Sequence, residues 1–358
     1  MGLFRLILAI AVVIAHSKRV FYGNDENLFH SIISRENTGI YILSGHAVFV
    51  FFIISGFLMS MVINEKYAII EKGNLKFYIN RALRLYPVNF VILIAMFFYY
   101  LHTGYASYIT YSLPDQSLPL TIGAFFSNLF FLGAELITFS HNENWDYVNP
   151  QIWSLSLELY FYLLAPFIVR RKLPTLVILA IASFVLRQVL FHSDVAQVPW
   201  RYFFFPSDLV FFLLGVIAHR TWSMKYSIRN FDLVKCARWI SLIAMTVIIF
   251  RRQSWPLTRD FDELTSWAFF LMTAIATPLL FSLTKRNKVD IFLGHLSYPI
   301  YIGHMFVISM VYSMANTESD RGAITVFVSL GMAMLLYLMI DKPINSFRTR
   351  VTKIKPSV

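Results

Sequence analysis

The chain has 358 residues, 57% of them hydrophobic and only 14% charged, with a formal net charge of +11 and a single cysteine, Cys236. About a quarter of the residues of a soluble protein are charged, so this composition excludes a soluble one- or two-domain enzyme and a disordered chain, and one cysteine excludes an internal disulfide framework. The composition is that of an all-α, polytopic membrane protein whose main solvent is lipid.

A membrane-spanning helix needs about twenty mostly apolar residues. In chain order the segments that qualify are 3–21, 40–63, 87–101, 152–169, 173–191, 203–219, 237–250, 264–283, 291–312 and 323–340. An eleventh stretch, 120–137, follows Pro119 and contains Asn128 and Glu135. Charge decides how it is counted. With ten spans and the N-terminus inside, 21 of the 31 Lys and Arg side chains fall on the inner side and nine on the outer, with Arg5 inside the first span. An extra full span at 120–137 would put the later basic clusters outside, against the positive-inside rule. The expectation is therefore ten spans with both termini cytoplasmic, and a re-entrant or interfacial segment at 120–137 within a long outer loop that has no Lys or Arg. The first segment reads as a retained signal-anchor, because Arg5 is followed by a run of full spanning length without a convincing cleavage site. One membrane domain covers 1–345, and 346–358 is a basic cytoplasmic tail. The basic residues are spread over every inner loop, which excludes a nucleic-acid-binding patch.

Ionisable residues inside spans are costly and mark functional sites. Arg5 and His16 share the first span, eleven residues or three turns apart, so they face nearly the same side about 16 Å from one another. Glu158 lies early in the fourth of these spans, and His304 and His46 lie toward the outer ends of theirs. A His with a carboxylate partner forms a general base with a fixed tautomer, while Glu158 as a simple inter-helix tie is the competing reading. On the inner side, Arg81 and Arg84 are one turn apart, a spacing that suits a phosphate and equally suits inner-end topology. Trp153 and Trp200 suit sugar stacking or an interfacial aromatic belt. His141, Glu143 and Asp146 lack metal-ligand spacing, and no metal is expected.

Five segments in order resemble the acyltransferase-3 family of integral membrane acyltransferases. They are Arg5 with His16; Phe51-Phe52-Ile53-Ile54-Ser55-Gly56-Phe57-Leu58; Arg81 with Arg84-Leu85-Tyr86-Pro87; Trp153-Ser154-Leu155-Ser156-Leu157-Glu158 through Tyr162; and Ser297-Tyr298-Pro299-Ile300-Tyr301-Ile302-Gly303-His304. The chain departs from the family pattern at Phe4-Arg5-Leu6, where Leu-Arg-Gly is usual, and at Ala47-Val48-Phe49, where Gly-Val-Asp is usual. It resembles the stand-alone form without an esterase-like domain.

The resemblance implies a membrane O-acyltransferase of the bacterial inner membrane. It would move an acyl group, most often acetyl, from cytoplasmic acyl-CoA to a hydroxyl of a cell-surface or lipid-linked glycan such as O-antigen or exopolysaccharide. Acyl-CoA enters as co-substrate, with no bound cofactor. In this reading His16 and Glu158 are catalytic, and Arg5, Arg81, Arg84, Ser55 and Gly56 bind the donor. His304, Tyr301 and Trp153 line the acceptor path or support the oxyanion. The Arg5–His16 rise matches an extended pantetheine arm. A transporter or flippase for a lipid-linked glycan is the alternative, and the absence of internal repeats argues against it. A non-catalytic scaffold accounts less well for the buried charges.

Overall fold

The computed structural model describes residues 1–17, 39–103, 126, 128–131, 149, 151–193, 200, 203–224, 231–251, 259–314 and 321–352. Among them there are eleven α-helices: α1 Gly2–Ser17, α2 Gly39–Glu65, α3 Gly73–Thr103, α4 Ile152–Ile168, α5 Leu173–His192, α6 Phe205–Ser223, α7 Phe231–Arg251, α8 Arg259–Thr284, α9 Lys288–Met314, α10 Arg321–Leu336 and α11 Lys342–Thr352. A π-helical turn, Tyr337–Asp341, joins the last two. Among the described residues, six stretches are long and apolar enough to cross a membrane: Leu43–Ile69, Gly73–Tyr99, Leu173–His192, Glu263–Thr284, Lys288–Val311 and Gly322–Val351. Gly2–Ser17 and Ile152–Ile168 are shorter apolar helices.

α2 is the hub. It is apolar on every side, as a helix buried all round must be, and packs against α1, α4, α6, α7 and α8. Its contact with α6 is a stack of rings, Phe49 on Phe211 and Phe52 on Phe212, each pair 4.4 Å between centroids. The two backbones also meet. A Cβ at Gly56 would overlap the Phe212 carbonyl oxygen, and one at Gly215 the Ile53 carbonyl oxygen, the small-residue approach that lets membrane helices associate without a hydrophobic drive. α1 lies between α2 and α9, and α9 continues the layer to α10. The outer helices α5 and α10 turn apolar side chains outward, among them Ile178, Ile181, Phe327 and Leu335, which suits lipid as their solvent.

Polar ties cross the bundle where lipid would leave groups unpaired. Arg187 of α5 pairs with the fully buried Asp208 of α6 and lies 4.8 Å and 5.0 Å over the rings of Phe49 and Phe211. Ser60 of α2 is hydrogen-bonded to His219 of α6 at 2.9 Å, and His219 reaches Glu65 at 3.3 Å.

One expected boundary shifts. The third helix begins at Gly73, not at 87, so Arg81 and Arg84 are helical rather than in a loop, and Pro87 lies inside. An internal proline forfeits one backbone hydrogen bond, here to the Leu83 carbonyl; separately, the Tyr298 hydroxyl donates to the Leu85 carbonyl at 2.7 Å. The division at residue 345 falls within α11, so 346–352 continue a helix. Of 120–137, only Phe126 and 128–131 are described, and the remainder lies outside the described residues. That piece is held on α3 and α4. Tyr86 donates to the Phe130 carbonyl at 3.0 Å and Ser156 to the Phe131 carbonyl at 2.6 Å.

Candidate active site

Helical spacing gathers the polar residues. Ser154, Glu158 and Tyr162 of α4 recur every four residues, and Tyr298, Tyr301 and His304 of α9 every three, so each set shares one face. With Arg5 of α1, Ser55 of α2, and Arg81 and Arg84 of α3, all but His304 line one cavity of about 730 Å³, its open mouth included.

The cavity is strongly cationic. Arg5 and Arg84 are close enough for their charges to act on one another, and the charges of Glu158 and Asp290 also act on Arg5. Among the described residues, neither the Arg5 nor the Arg84 guanidinium donates a side-chain hydrogen bond to the protein, although each has five N–H donors. Arg81 donates to Asn80 Oδ1 at 2.7 Å and lies 5.7 Å over the ring of Tyr162, while its buried Nε has no partner. Unspent planar donors of this kind suit phosphate.

Glu158 has different partners from those expected. Its Oε1 accepts from the Ser55 hydroxyl at 2.8 Å and from the Tyr162 hydroxyl. It therefore ties α2 to α4 and fixes two hydroxyls of the cavity wall.

His16, exposed in the last turn of α1, is paired with another histidine. Its Nδ1 lies 2.9 Å from Nε2 of the fully buried His304, and the rings stack at 5.0 Å. His304 Nδ1 is 2.7 Å from the Tyr301 carbonyl oxygen, which can only accept. The Gln151 amide nitrogen, 3.3 Å from the same Nδ1, is a competing donor, but its contact is the longer and it has the Tyr301 and Ile302 carbonyl oxygens as acceptors at 3.4 Å. The proton of a neutral His304 is thus on Nδ1, and its bare Nε2 accepts from His16 Nδ1–H. That leaves the lone pair of His16 on Nε2, the arrangement of a general base whose tautomer is set by its neighbour. Tyr301 joins the two regions. Its carbonyl holds His304, and its hydroxyl, 2.7 Å from Ser154 Oγ, lines the cavity.

Four expected site residues, His16, His304, Gly56 and Trp153, are not on the wall of this cavity. Gly56 is the close contact with α6 and does not line the cavity. Trp153 packs edge-on against Phe203 at 4.8 Å. His46 is hydrogen-bonded to Ser266 at 2.7 Å, away from the cavity. His141, Glu143 and Asp146 lie outside the described residues. Sequence reasoning passed over Tyr162, Ser154 and Tyr298, all within the quoted motifs. Their signal was the four-residue spacing about Glu158 and the three-residue spacing before Tyr301.

The family model described as an acyltransferase domain matches residues 1–340, leaving α11 beyond it. Among curated proteins, the chain is 25% identical over 332 residues to O-acetyltransferase OatA of Staphylococcus aureus, in strains NCTC 8325 / PS 47 and MRSA252 alike. That match covers 85% of this chain and 52% of the relative. The chain thus spans about half the length of the curated relatives it matches. No solved structure matches it. A match over nearly all of its length, on the segments that build this cavity, makes the chain a member of the acyltransferase-3 family, with O-acetyltransferases among its distant homologues.

Proposed function

We propose that this protein is an O-acyltransferase of a bacterial inner membrane, crossing it ten times with both termini cytoplasmic, and that it moves an acetyl group from acetyl-CoA to a hydroxyl of a surface or lipid-linked glycan. The observation that carries the reading is the pairing of a cationic cavity, rich in unspent guanidinium donors, with a tautomer-fixed histidine reached through Tyr301.

The donor's phosphates bind Arg5, Arg81 and Arg84, and its thioester arm runs along the cavity past Ser55, Ser154 and Tyr301. His16 Nε2 removes the proton as the acceptor oxygen attacks the thioester carbonyl. The tetrahedral intermediate collapses with loss of the CoA thiolate, which takes the proton back from the imidazolium. His304 positions His16. Glu158 acts on the donor side, holding Ser55 and Tyr162 and balancing Arg5. Hydroxyl donors on the cavity wall, Tyr301 foremost, support the developing oxyanion.

The test is the acyl decoration of the host's surface polysaccharide with the gene intact, deleted, and replaced by His16→Ala. O-acetyl groups that vanish on deletion and do not return with His16→Ala support the reading. Decoration unchanged by deletion contradicts it.

A further inference from the structure

The geometry points to Arg348 of α11 as a fourth phosphate ligand, which holds the phosphate of the donor's nucleotide farthest from the thioester. The inference rests on the acyl-CoA reading above and adds a residue from beyond the family-matched segment.

α11 packs on α3, the helix that carries Arg81 and Arg84. The π turn before it, an irregularity frequent at functional sites, brings Asp341 to 3.5 Å from His295 of α9. Arg348 follows Asp341 by seven residues, two helical turns, and so shares its face. The charge of Arg348 acts on both Arg81 and Arg84, and Arg348 and Arg81 both act on the buried Tyr67 between α2 and α3. Arg348 also donates to Asn345 on its own helix, which orients the guanidinium. Arg84 is the joint of the arrangement: it lines the cavity with Arg5, and its charge acts on both Arg348 and Asp341.

Among the described residues, four guanidiniums therefore meet three carboxylates, Glu158, Asp341 and Asp290, and Asp290 is already paired with the N-terminal amine. Like charges gathered at low dielectric repel, and a polyphosphate is the ligand that relieves such an excess. Acyl-CoA supplies one, with a pyrophosphate and a separate ribose 3′-phosphate. Arg5, Arg81 and Arg84 line the cavity and Arg348 does not. The inner three thus suit the pyrophosphate, and Arg348 suits the 3′-phosphate beyond it. A lipid headgroup phosphate offers the same chemistry, so the experiment separates the two sources.

The full-length protein in nanodiscs is assayed with acetyl-CoA, its 3′-dephospho analogue and acetyl-pantetheine, for wild type, Arg348→Gln and Arg348→Lys, in neutral and in anionic lipid. One charge-assisted contact corresponds to about a tenfold effect. Wild type is expected to show a KM for acetyl-CoA about tenfold below that for the 3′-dephospho analogue. Arg348→Gln should erase that preference in both lipids, and Arg348→Lys should keep part of it. A variant that merely folds poorly loses rate with all three donors and keeps the ratio of KM values. A ratio untouched by Arg348→Gln overturns the inference, as does an effect confined to anionic lipid. If wild type fails to prefer acetyl-CoA over acetyl-pantetheine, it is the donor reading itself that falls.

Discussion

Nδ1 of His16 lies 2.9 Å from Nε2 of His304, whose own Nδ1 is committed to the Tyr301 carbonyl. This chain of contacts presents His16 Nε2 as the base. His304→Gln, which cannot hold the same tautomer, is expected to lower kcat by about ten- to a hundredfold with a smaller change in the KM for acetyl-CoA, less than the roughly 10²–10⁴-fold of losing the general base itself. Steady-state kinetics of the purified variant check the split. The same reading fixes the sign of the pH dependence. A protonated imidazole has no lone pair, so the rate falls with decreasing pH, and this acid limb is absent from any residual activity of His16→Ala.

Glu158 is expected to act through the groups it holds. Hydrogen bonds to a charged acceptor contribute about 1.5–3 kcal/mol, neutral ones about 1 kcal/mol. Glu158→Gln, which weakens two such bonds, and Ser55→Ala, which removes one, should both lower the melting temperature in detergent, and Glu158→Gln should also lower the KM for acetyl-CoA, because a carboxylate that opposes the donor's phosphates is gone. Wild-type melting of both variants would show that the Ser55–Glu158 bond does not tie α2 to α4.

Much of this was legible before the fold. The apolar segments became helices because twenty apolar residues in lipid have few alternatives to satisfying their backbone internally. Arg5, Glu158, Arg81 and Arg84 converge because each stood out against that background. The partner of His16 was not legible, since no local spacing relates residues 16 and 304; the packing of α1 on α9 brings them together. The start of α3 was misplaced for a related reason. Its first turns carry Arg81 and Arg84, which hydropathy scores as loop, although they face a polar cavity inside the bundle. Gly56 was assigned to the donor because a missing side chain suits a ligand and a helix equally well, and only the position of Phe212 decides between them.

That contact gives a further prediction. A side chain at Gly56 meets backbone, which cannot rotate away. Gly56→Val should cost about 1–3 kcal/mol or more by overpacking and reduce the yield of folded protein in detergent. A normal thermal melt for this variant would contradict the close α2–α6 approach.

The Arg187–Asp208 pair is structural. Removing one partner of a buried pair leaves an uncompensated charge and costs about 3–5 kcal/mol, whereas replacing both with apolar groups is often neutral. Arg187→Met alone should therefore be strongly destabilising, and Arg187→Met with Asp208→Leu should recover most of the loss in melting temperature. Additive losses would indicate that the two side chains act independently.

The most direct test of the account is acceptor-dependent release of CoA thiol by the purified protein in nanodiscs with labelled acetyl-CoA. The wild-type protein is predicted to release thiol and label the glycan in step. His16→Ala is predicted to fall by about 10²–10⁴-fold while remaining folded and still binding acetyl-CoA through the arginine cavity. A His16→Ala protein that transfers acetyl groups at the wild-type rate would contradict it.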